Sequence, residues 1–509
     1  MNLGFVPSPL DARIELPEPR AGGIDPALSE AFIPSAAREA ALARLSQPDA
    51  VAVTTGQQPG LFTGPLYTVY KALSTAALAR VLERRWRRPV VPVFWAAGDD
   101  HDFTEASQAA WLDGNGSVAT ASLASRPPEA PLTPMYREPL GPAIAEVLER
   151  LSADLPPSEY REQTLDWLRR YYHPSATVGE AFAGAMADLI APAGVICFDS
   201  THPAAKGAAA PVLERALERA TEIDKALDRW AEELGASART SGVSVGDGAA
   251  LVMLESKLGR DRLVSDGDGF VTRRSRERYD LQTLRTIARE EPTRLSPNVL
   301  LRPVVESALL PSVAYLGGPG ELGYLVLTPP VYQLMDVPQQ QPLPRWSGVL
   351  LEPRVERVLE KFQITLEDLL APEGALEARL VRSQLPPEAL EALASIRHAL
   401  ERGYEALGRS ATEIDPTLVR SIQGVQQQAL GGTQDVEKKL VQHLKRRQET
   451  ELGQIRRARN AVLPLNKPQE RGLTVAPFLA RYGPDLIEQL TDEIERWYAA
   501  TLEGASQPS

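Results

Sequence analysis

Residues 50–54 form a short apolar, β-favouring run that feeds a glycine-punctuated turn, residues 65–85 read as a helix, and residues 90–96 are a continuous apolar strand. Strand, glycine turn, helix and strand make the βαβ unit of a parallel sheet. Another apolar strand at 194–199 follows a helical stretch at 179–190 and extends the alternation. Segments 114–155 and 242–294 are richer in turns, Pro, Asp and Gly and read as insertions on the sheet. Residues 297–328 end in a Gly-rich turn at 316–321 and are expected to return to the core.

From about residue 375 the pattern changes: Leu390, Leu393, Ile396, Leu400, Tyr404 and Leu407 recur every three or four residues. After Asp415-Pro416 a second series follows, Leu418, Ile422, Val425, Ala429, Val436, Leu440 and Leu444, running on through Leu452 and Ile455. Two long amphipathic helices in an antiparallel hairpin fit this spacing, as a coiled-coil arm or as a cover for the sheet. Beyond Val462 Pro and Gly interrupt the helix, and residues 473–497 read as a stretch that docks back on the main body. The expected fold is thus α/β, a Rossmann-like parallel-sheet core over 1–374 with insertions at about 114–155 and 242–294. An α-helical coiled-coil domain at 375–464 and a C-terminal segment at 465–509 complete it.

At 509 residues and 43% hydrophobic content the chain is long enough for two or three domains, each with its own core. The net charge of −12 argues against a dedicated nucleic-acid or anionic-membrane binder, which needs a clustered basic face. One cysteine, Cys197, excludes an intramolecular disulfide and reads as a buried core residue in its apolar strand. The N-terminus lacks a basic and apolar leader pattern and no apolar run reaches 18 residues, so a soluble cytoplasmic protein is expected.

Three constellations carry candidate chemistry. In the first, Gly56, Gly60 and Gly64 punctuate the turn and Pro65 suits a first helical position, which would aim helix N–H groups at an anion. Thr55, Gln57, Gln58, Thr63, Tyr67 and Thr68 add neutral polar groups, with Lys71 one turn further on. Neither the Walker A spacing nor G-x-G-x-x-G is present, so an anion or nucleotide site and a merely tight turn both fit. The second is Asp99-Asp100-His101-Asp102 at the carboxyl end of a buried strand, where open parallel sheets bind ligands. If the chain stays extended, Asp100 and Asp102 share one face, and a flanking carboxylate would raise the basicity of His101 for general-base work. Asp and His are also metal ligands, but no second His/Cys cluster has ligand spacing, so no resident metal is expected. The third is Asn298 to Pro303 with Glu306 and the turn carrying Glu321. Arg302, stiffened by Pro303, fits either bidentate capture of a carboxylate or phosphate, or an ion pair with an acidic neighbour.

Taken together, the run from Thr55 to Lys71, Gly98-Asp99-Asp100-His101-Asp102, Asn298 to Pro303 and Gly318-Pro319-Gly320-Glu321 resemble the bacillithiol synthase family, the cysteine ligases of bacillithiol biosynthesis. Lys467-Pro468-Gln469-Glu470-Arg471 and Pro477 to Gly483 resemble that family's segment after its coiled coil, so the likeness runs almost end to end. It implies a Rossmann-like core related to nucleotidyl-transferring enzymes and class I aminoacyl-tRNA synthetases, and a homodimer made through the coiled coil. It also implies the reaction, an amide between the carboxyl of L-cysteine and the amine of glucosaminyl malate. That condensation needs an activated carboxyl and hence a nucleotide, ATP in the simplest case, with Mg2+ accompanying it. On this resemblance His101, Asp100 and Asp102 would be catalytic, with His101 taking the proton of the attacking amine. Thr55, Gly56, Gln57, Gln58, Gly60, Gly64, Tyr67, Thr68, Lys71, Asp99, Asn298, Arg302 and Glu321 would bind substrate or nucleotide. The phosphates would lie on the Gly64-Pro65 helix N-terminus near Lys71, and Arg302 would hold a substrate carboxylate. The chain departs from the family pattern at Asp99, where Glu is usual, at Pro59, where Ala is usual, and at Leu465-Asn466, where Asn-Gly is usual. A non-catalytic small-molecule sensor or dimeric scaffold, and a nucleotidyltransferase for another substrate, are the alternatives on the same residues.

Overall fold

The apolar runs have no polar face to offer water, so they assemble inside a parallel sheet covered on both sides. The computed structural model describes residues 3–504 apart from 10–13, 16, 19, 21, 240, 384 and 448. In it, five parallel strands form this sheet: β1 (Val51–Gln57), β2 (Val90–Ala96), β3 (Ile196–Asp199), β4 (Ser312–Gly317) and β5 (Gln341–Pro344). Their order is β5-β4-β1-β2-β3. The chain winds outward from β1 to β3 and then returns to the other side of β1, so the winding reverses between β1 and β4. In open α/β sheets that reversal opens a crevice outside the carboxyl ends of the strands, where ligands bind.

Strand β1 runs past the apolar run into the turn expected after it, because the ladder to β2 continues through Thr55, Gly56 and Gln57 against Phe94, Trp95 and Ala96. The buried threonines tolerate this by finding partners: Thr55 Oγ1 donates to Leu316 O at 2.6 Å and Thr54 Oγ1 to Glu306. Helix α1 (Leu66–Trp86) crosses from β1 to β2 and is buried along most of its length between the sheet and the helix Asp485–Gly504. Arg80 ties the two helices, reaching Asp492 at 3.0 Å and Glu495 at 3.3 Å. Helix α2 (Pro203–Glu218) follows β3, and α3 (Arg302–Leu309) and α4 (Pro319–Leu325) flank β4.

Two insertions build walls beside the sheet. The first contains the hairpin Gln108–Leu112 with Val118–Ser122 and the helices Ala143–Asp154 and Arg161–Tyr171. The second is a five-stranded antiparallel sheet in which Leu295–Pro297 pairs with Ala249–Ser256 at one edge. With the return of residues from Lys467 onward, these belong to a unit comprising Phe5–Leu350 and Lys467–Ser509. Residues 505–509 of the expected C-terminal segment lie outside the described residues.

A separate unit takes in Leu351–Asn466. Its hairpin is α5 (Pro387–Ile414) and α6 (Leu418–Arg447), turned by Asp415, whose carboxylate accepts from Thr417 N at 2.8 Å. The periodic pattern continues after residue 447 in a further helix, α7 (Glu449–Val462), against which Pro353–Phe362 and Leu366–Leu370 pack. That packing corrects the expected boundary at 375: residues 351–374 belong with the helices because their apolar faces are covered there, as where Arg459 Nη1 donates to Leu369 O at 2.7 Å. No helix among the described residues is long and apolar enough to cross a membrane.

Candidate functional site

A cavity of about 390 Å³ lies at the carboxyl ends of β1 and β4, at the reversal of winding. Its wall takes Gly56, Gln57, Gln58 and Tyr67 from β1 and α1, and Asp99, Asp100 and Glu105 from the loop after β2. Asn298, Arg302, Glu321 and Tyr324 come from around β4, Arg260 from the antiparallel sheet, and Arg345 and Arg471 from after β5. Eleven of the site residues expected from the sequence therefore sit at or directly under one cavity, since Thr55 and Lys71 lie below the Gly56-Gln57 edge.

Lys71 is the pin beneath that edge. Its ammonium, on a side chain 1% exposed, donates to Gly56 O, to Gln57 Oε1 at 3.1 Å and to both oxygens of Glu321 at 2.8 and 2.7 Å. Glu321 also accepts from Tyr315 Oη at 2.7 Å and from Gly318 N at 3.0 Å. Burial pushes the Glu321 carboxyl up, but Lys71 and these hydrogen bonds hold it below the ordinary glutamate value. Burial pulls the Lys71 ammonium down and Glu321 opposes that. The pair joins α1 to α4 across the reversal and leaves Glu321 with four hydrogen bonds from three donor groups, an anchor rather than a base.

The acidic loop is not extended. Strand β2 ends at Ala96 and a turn follows, fixed by Met135 N donating to Asp100 O at 2.7 Å and Tyr136 N to Gly98 O at 3.0 Å. Gly98 is required there, since a Cβ would stand 2.9 Å from Thr201 Cγ2. The four titratable residues consequently part company. Asp99 pairs with the buried Lys206 at 2.6 Å, Asp100 accepts from Asp102 N at 2.8 Å, and Asp102 caps the next turn through Glu105 N at 3.0 Å.

His101 meets a cation instead of the expected carboxylate: Arg260 Nη1 lies 3.2 Å from Nδ1. A guanidinium only donates, so Nδ1 is the acceptor and the neutral ring carries its proton on Nε2. Burial and then Arg260 lower the His101 pKa, against the opposing pull of Asp100 and Asp102. The expected gain in basicity is therefore overturned, and His101 is a hydrogen-bond donor through Nε2. Another carboxylate of the cavity wall, Glu105, accepts from Gln58 Nε2 at 2.8 Å and Tyr67 Oη at 3.3 Å. Burial and then Asp102 push its pKa up.

The helix N-terminus is likewise closed to an anion. Gly64 has the expected positive φ of 73°, but Leu66 N donates to Leu473 O at 2.8 Å and Thr68 N to Pro65 O at 2.9 Å. Gly60, Gly64 and Thr68 stand outside the cavity, in a turn that Tyr172 Oη closes by donating to Gly60 O at 3.2 Å. Arg302 lies in the cavity wall with Nη1 on Glu306 at 2.6 Å and its guanidinium 4.7 Å above the Tyr315 ring. Between the two readings its sequence left open, the structure shows the ion pair. Asn298 turns its Oδ1 inward to accept from Leu300 N and Leu301 N, both at 3.0 Å.

Sequence reasoning missed Glu105, Lys206, Arg260, Arg345 and Arg471. Each is a common charged residue without a local motif, and only Arg471 carried a signal, in the run Lys467 to Arg471. No group of three or more potential metal ligands occurs among the described residues.

A parallel sheet wound both ways from β1, with a charged cavity at the reversal and a helical hairpin in a second unit, defines a Rossmann-like protein with a coiled-coil domain. Family models place it more narrowly: that of the bacillithiol biosynthesis BshC N-terminal Rossmann-like domain matches residues 28–346, and that of the BshC C-terminal coiled-coil domain matches residues 348–498. The chain belongs to the BshC family of bacillithiol biosynthesis. It is 32% identical over 467 residues to the protein named "Putative cysteine ligase BshC" of Symbiobacterium thermophilum, covering 88% of this chain and 83% of the relative. It is 32% identical over 463 residues to the protein of that name in Heliobacterium modesticaldum, covering 89% and 83%. A third, from Prosthecochloris aestuarii, is 30% identical over 469 residues, covering 88% and 82%.

Proposed function

We propose that this protein is a ligase that joins the carboxyl of L-cysteine to the amine of glucosaminyl malate, with ATP as the source of activation. Family membership supports the reaction, and the observation that carries it to particular residues is the polarity of the cavity. The wall offers the carboxylates of Asp100 and Glu105, suited to an ammonium group. The wall also carries four arginines, Arg260, Arg302, Arg345 and Arg471, a setting suited to polyanions.

ATP would convert the cysteine carboxylate into an acyl-adenylate or acyl-phosphate, so that water leaves formally as phosphate products. The place for its phosphates is the crevice between β1 and β4, because the α1 N-terminus is closed. Mg2+ would arrive with the nucleotide. The attacking amine must lose a proton, and Glu105 is the acceptor in this reading, with Tyr67 and Gln58 holding its carboxylate in place. His101 and Asp102 are not in the cavity wall, so His101 acts in this reading by accepting from Arg260, which is in it. We also propose a homodimer through the helical hairpin, whose Ile396, Leu407, Val425 and Val436 are large apolar residues exposed to solvent in the single chain.

The test is mass spectrometry of purified protein with L-cysteine and glucosaminyl malate, with and without ATP and Mg2+. A product one water lighter than the summed substrates, formed only with ATP, is the expected result. No such product from folded protein under any of these conditions would remove the ligase assignment and favour a binding-only role.

A further inference from the structure

Four arginines line the cavity, and three of them have side-chain hydrogen-bond partners within the protein. Arg260 donates to Ser296 Oγ at 2.9 Å and Pro297 O at 2.7 Å besides His101. Arg302 Nη1 is on Glu306 while its buried Nη2 has no hydrogen-bond partner, and Arg345 forms a buried two-pronged pair with Glu470 at 2.9 and 2.7 Å. Arg471 differs. It is exposed, its side chain makes no hydrogen bond or ion pair among the described residues, and its guanidinium lies 5.7 Å from the centroid of the Tyr67 ring.

The backbone that carries Arg471 is fastened on both sides. Before it, Glu470 is held by Arg345 and by Ser347 Oγ at 2.9 Å, and Gln469 exchanges hydrogen bonds with Leu350 N at 2.8 Å and Leu350 O at 3.0 Å. After it, Leu473 O accepts from Leu66 N, and Thr474 bonds Ala110 O at 2.9 Å and Phe62 O at 2.8 Å. These bonds fix the backbone of Arg471 at the cavity wall before any ligand arrives, so binding has only the side chain left to order. A free guanidinium edge over an aromatic ring is suited to two-pronged capture of an oxyanion.

We infer that Arg471, delivered to the cavity by the segment that follows the helical unit, is the residue that binds the substrate's oxyanion, a carboxylate or a phosphate group. The inference deepens the proposed function by assigning the anion-binding part of that same cavity, and it adds to Arg302, whose buried Nη2 has no partner, a residue about 170 positions later in the chain.

Isothermal titration of the full chain and its Arg471→Gln and Arg471→Lys variants with malate, glucosaminyl malate, pyrophosphate and ATP tests it. Because Arg471 is exposed, the variants should fold, and far-UV circular dichroism checks that they do. Loss of a charge-assisted bond predicts roughly 10- to 100-fold weaker binding in Arg471→Gln, with partial recovery in Arg471→Lys. A loss confined to malate and glucosaminyl malate identifies a carboxylate as the group bound, and a loss confined to pyrophosphate and ATP identifies a phosphate; both uphold the inference. Unchanged affinity for all four in Arg471→Gln, or no binding of any by the parent chain, overturns it. If Arg471→Gln loses malate while no amide product is found with the parent chain, the oxyanion role stands and the cysteine-ligase reading falls.

Discussion

The Lys71–Glu321 pair gives the sharpest test of how the cavity is held together. Lys71→Met removes the cation from a Glu321 carboxylate whose side chain is 23% exposed, and Glu321→Gln leaves the ammonium of a side chain 1% exposed facing only neutral acceptors. Breaking one partner of a buried pair costs about 3–5 kcal/mol, because a charge is left uncompensated. The double variant leaves neither charge behind, so its cost should fall short of the sum of the singles by about 2 kcal/mol. All seven tryptophans lie in the unit formed by Phe5–Leu350 and Lys467–Ser509, so fluorescence-detected urea unfolding follows that unit alone. Since the folded carboxyl is held below its ordinary value, its contribution is present above about pH 4 and is lost as pH falls further, a dependence that Glu321→Gln should remove. Singles that add to the double within about 0.5 kcal/mol would refute the coupling, and with it the role of the pair as a clamp across the reversal.

Three other outcomes follow from particular residues. The His101 ring resonance should titrate with a midpoint below about 6.5 in an NMR pH series, and Arg260→Gln should raise it; stability linked to this neutral ring is present above that value and lost on acidification. A midpoint above 6.5 would contradict the acceptor role of His101. Cys197, buried in β3 with its thiol pushed well up by burial, should not react with a thiol reagent until the protein is unfolded. Leu465 holds φ at 54° while half exposed, at the position where Asn is usual in the family, so Leu465→Asn should stabilise by about 1 kcal/mol in thermal unfolding followed by circular dichroism; an unchanged or lower midpoint would count against strain there.

The elements were legible because each is written in one stretch of chain. The apolar runs at β1, β2 and β3, the period of α5 and α6, and the glycine turn at Gly64 need only their own residues to be recognised. The chemistry of the loop after β2 was legible in residue type but not in arrangement. Nothing in Asp99-Asp100-His101-Asp102 says that Lys206 will take the first carboxylate or that Arg260 will face the histidine. The closed N-terminus of α1 follows the same rule, since the carbonyl that occupies it belongs to Leu473.

By itself the sequence determined the parallel-sheet core, the helical hairpin, the strand ends at which a ligand site would form and the family. Hydrophobic period, turn residues and short motifs are local properties that survive in one dimension. Only the tertiary structure decided which charges neutralise one another and which remain free. Arg302 lies beside Glu306 one helical turn away and is paired with it through Nη1, whereas Arg471 arrives next to Tyr67 from the other end of the chain with no carboxylate on its guanidinium among the described residues. Electrostatic partnership depends on distance in space and on burial, and neither is encoded at the residue that bears the charge.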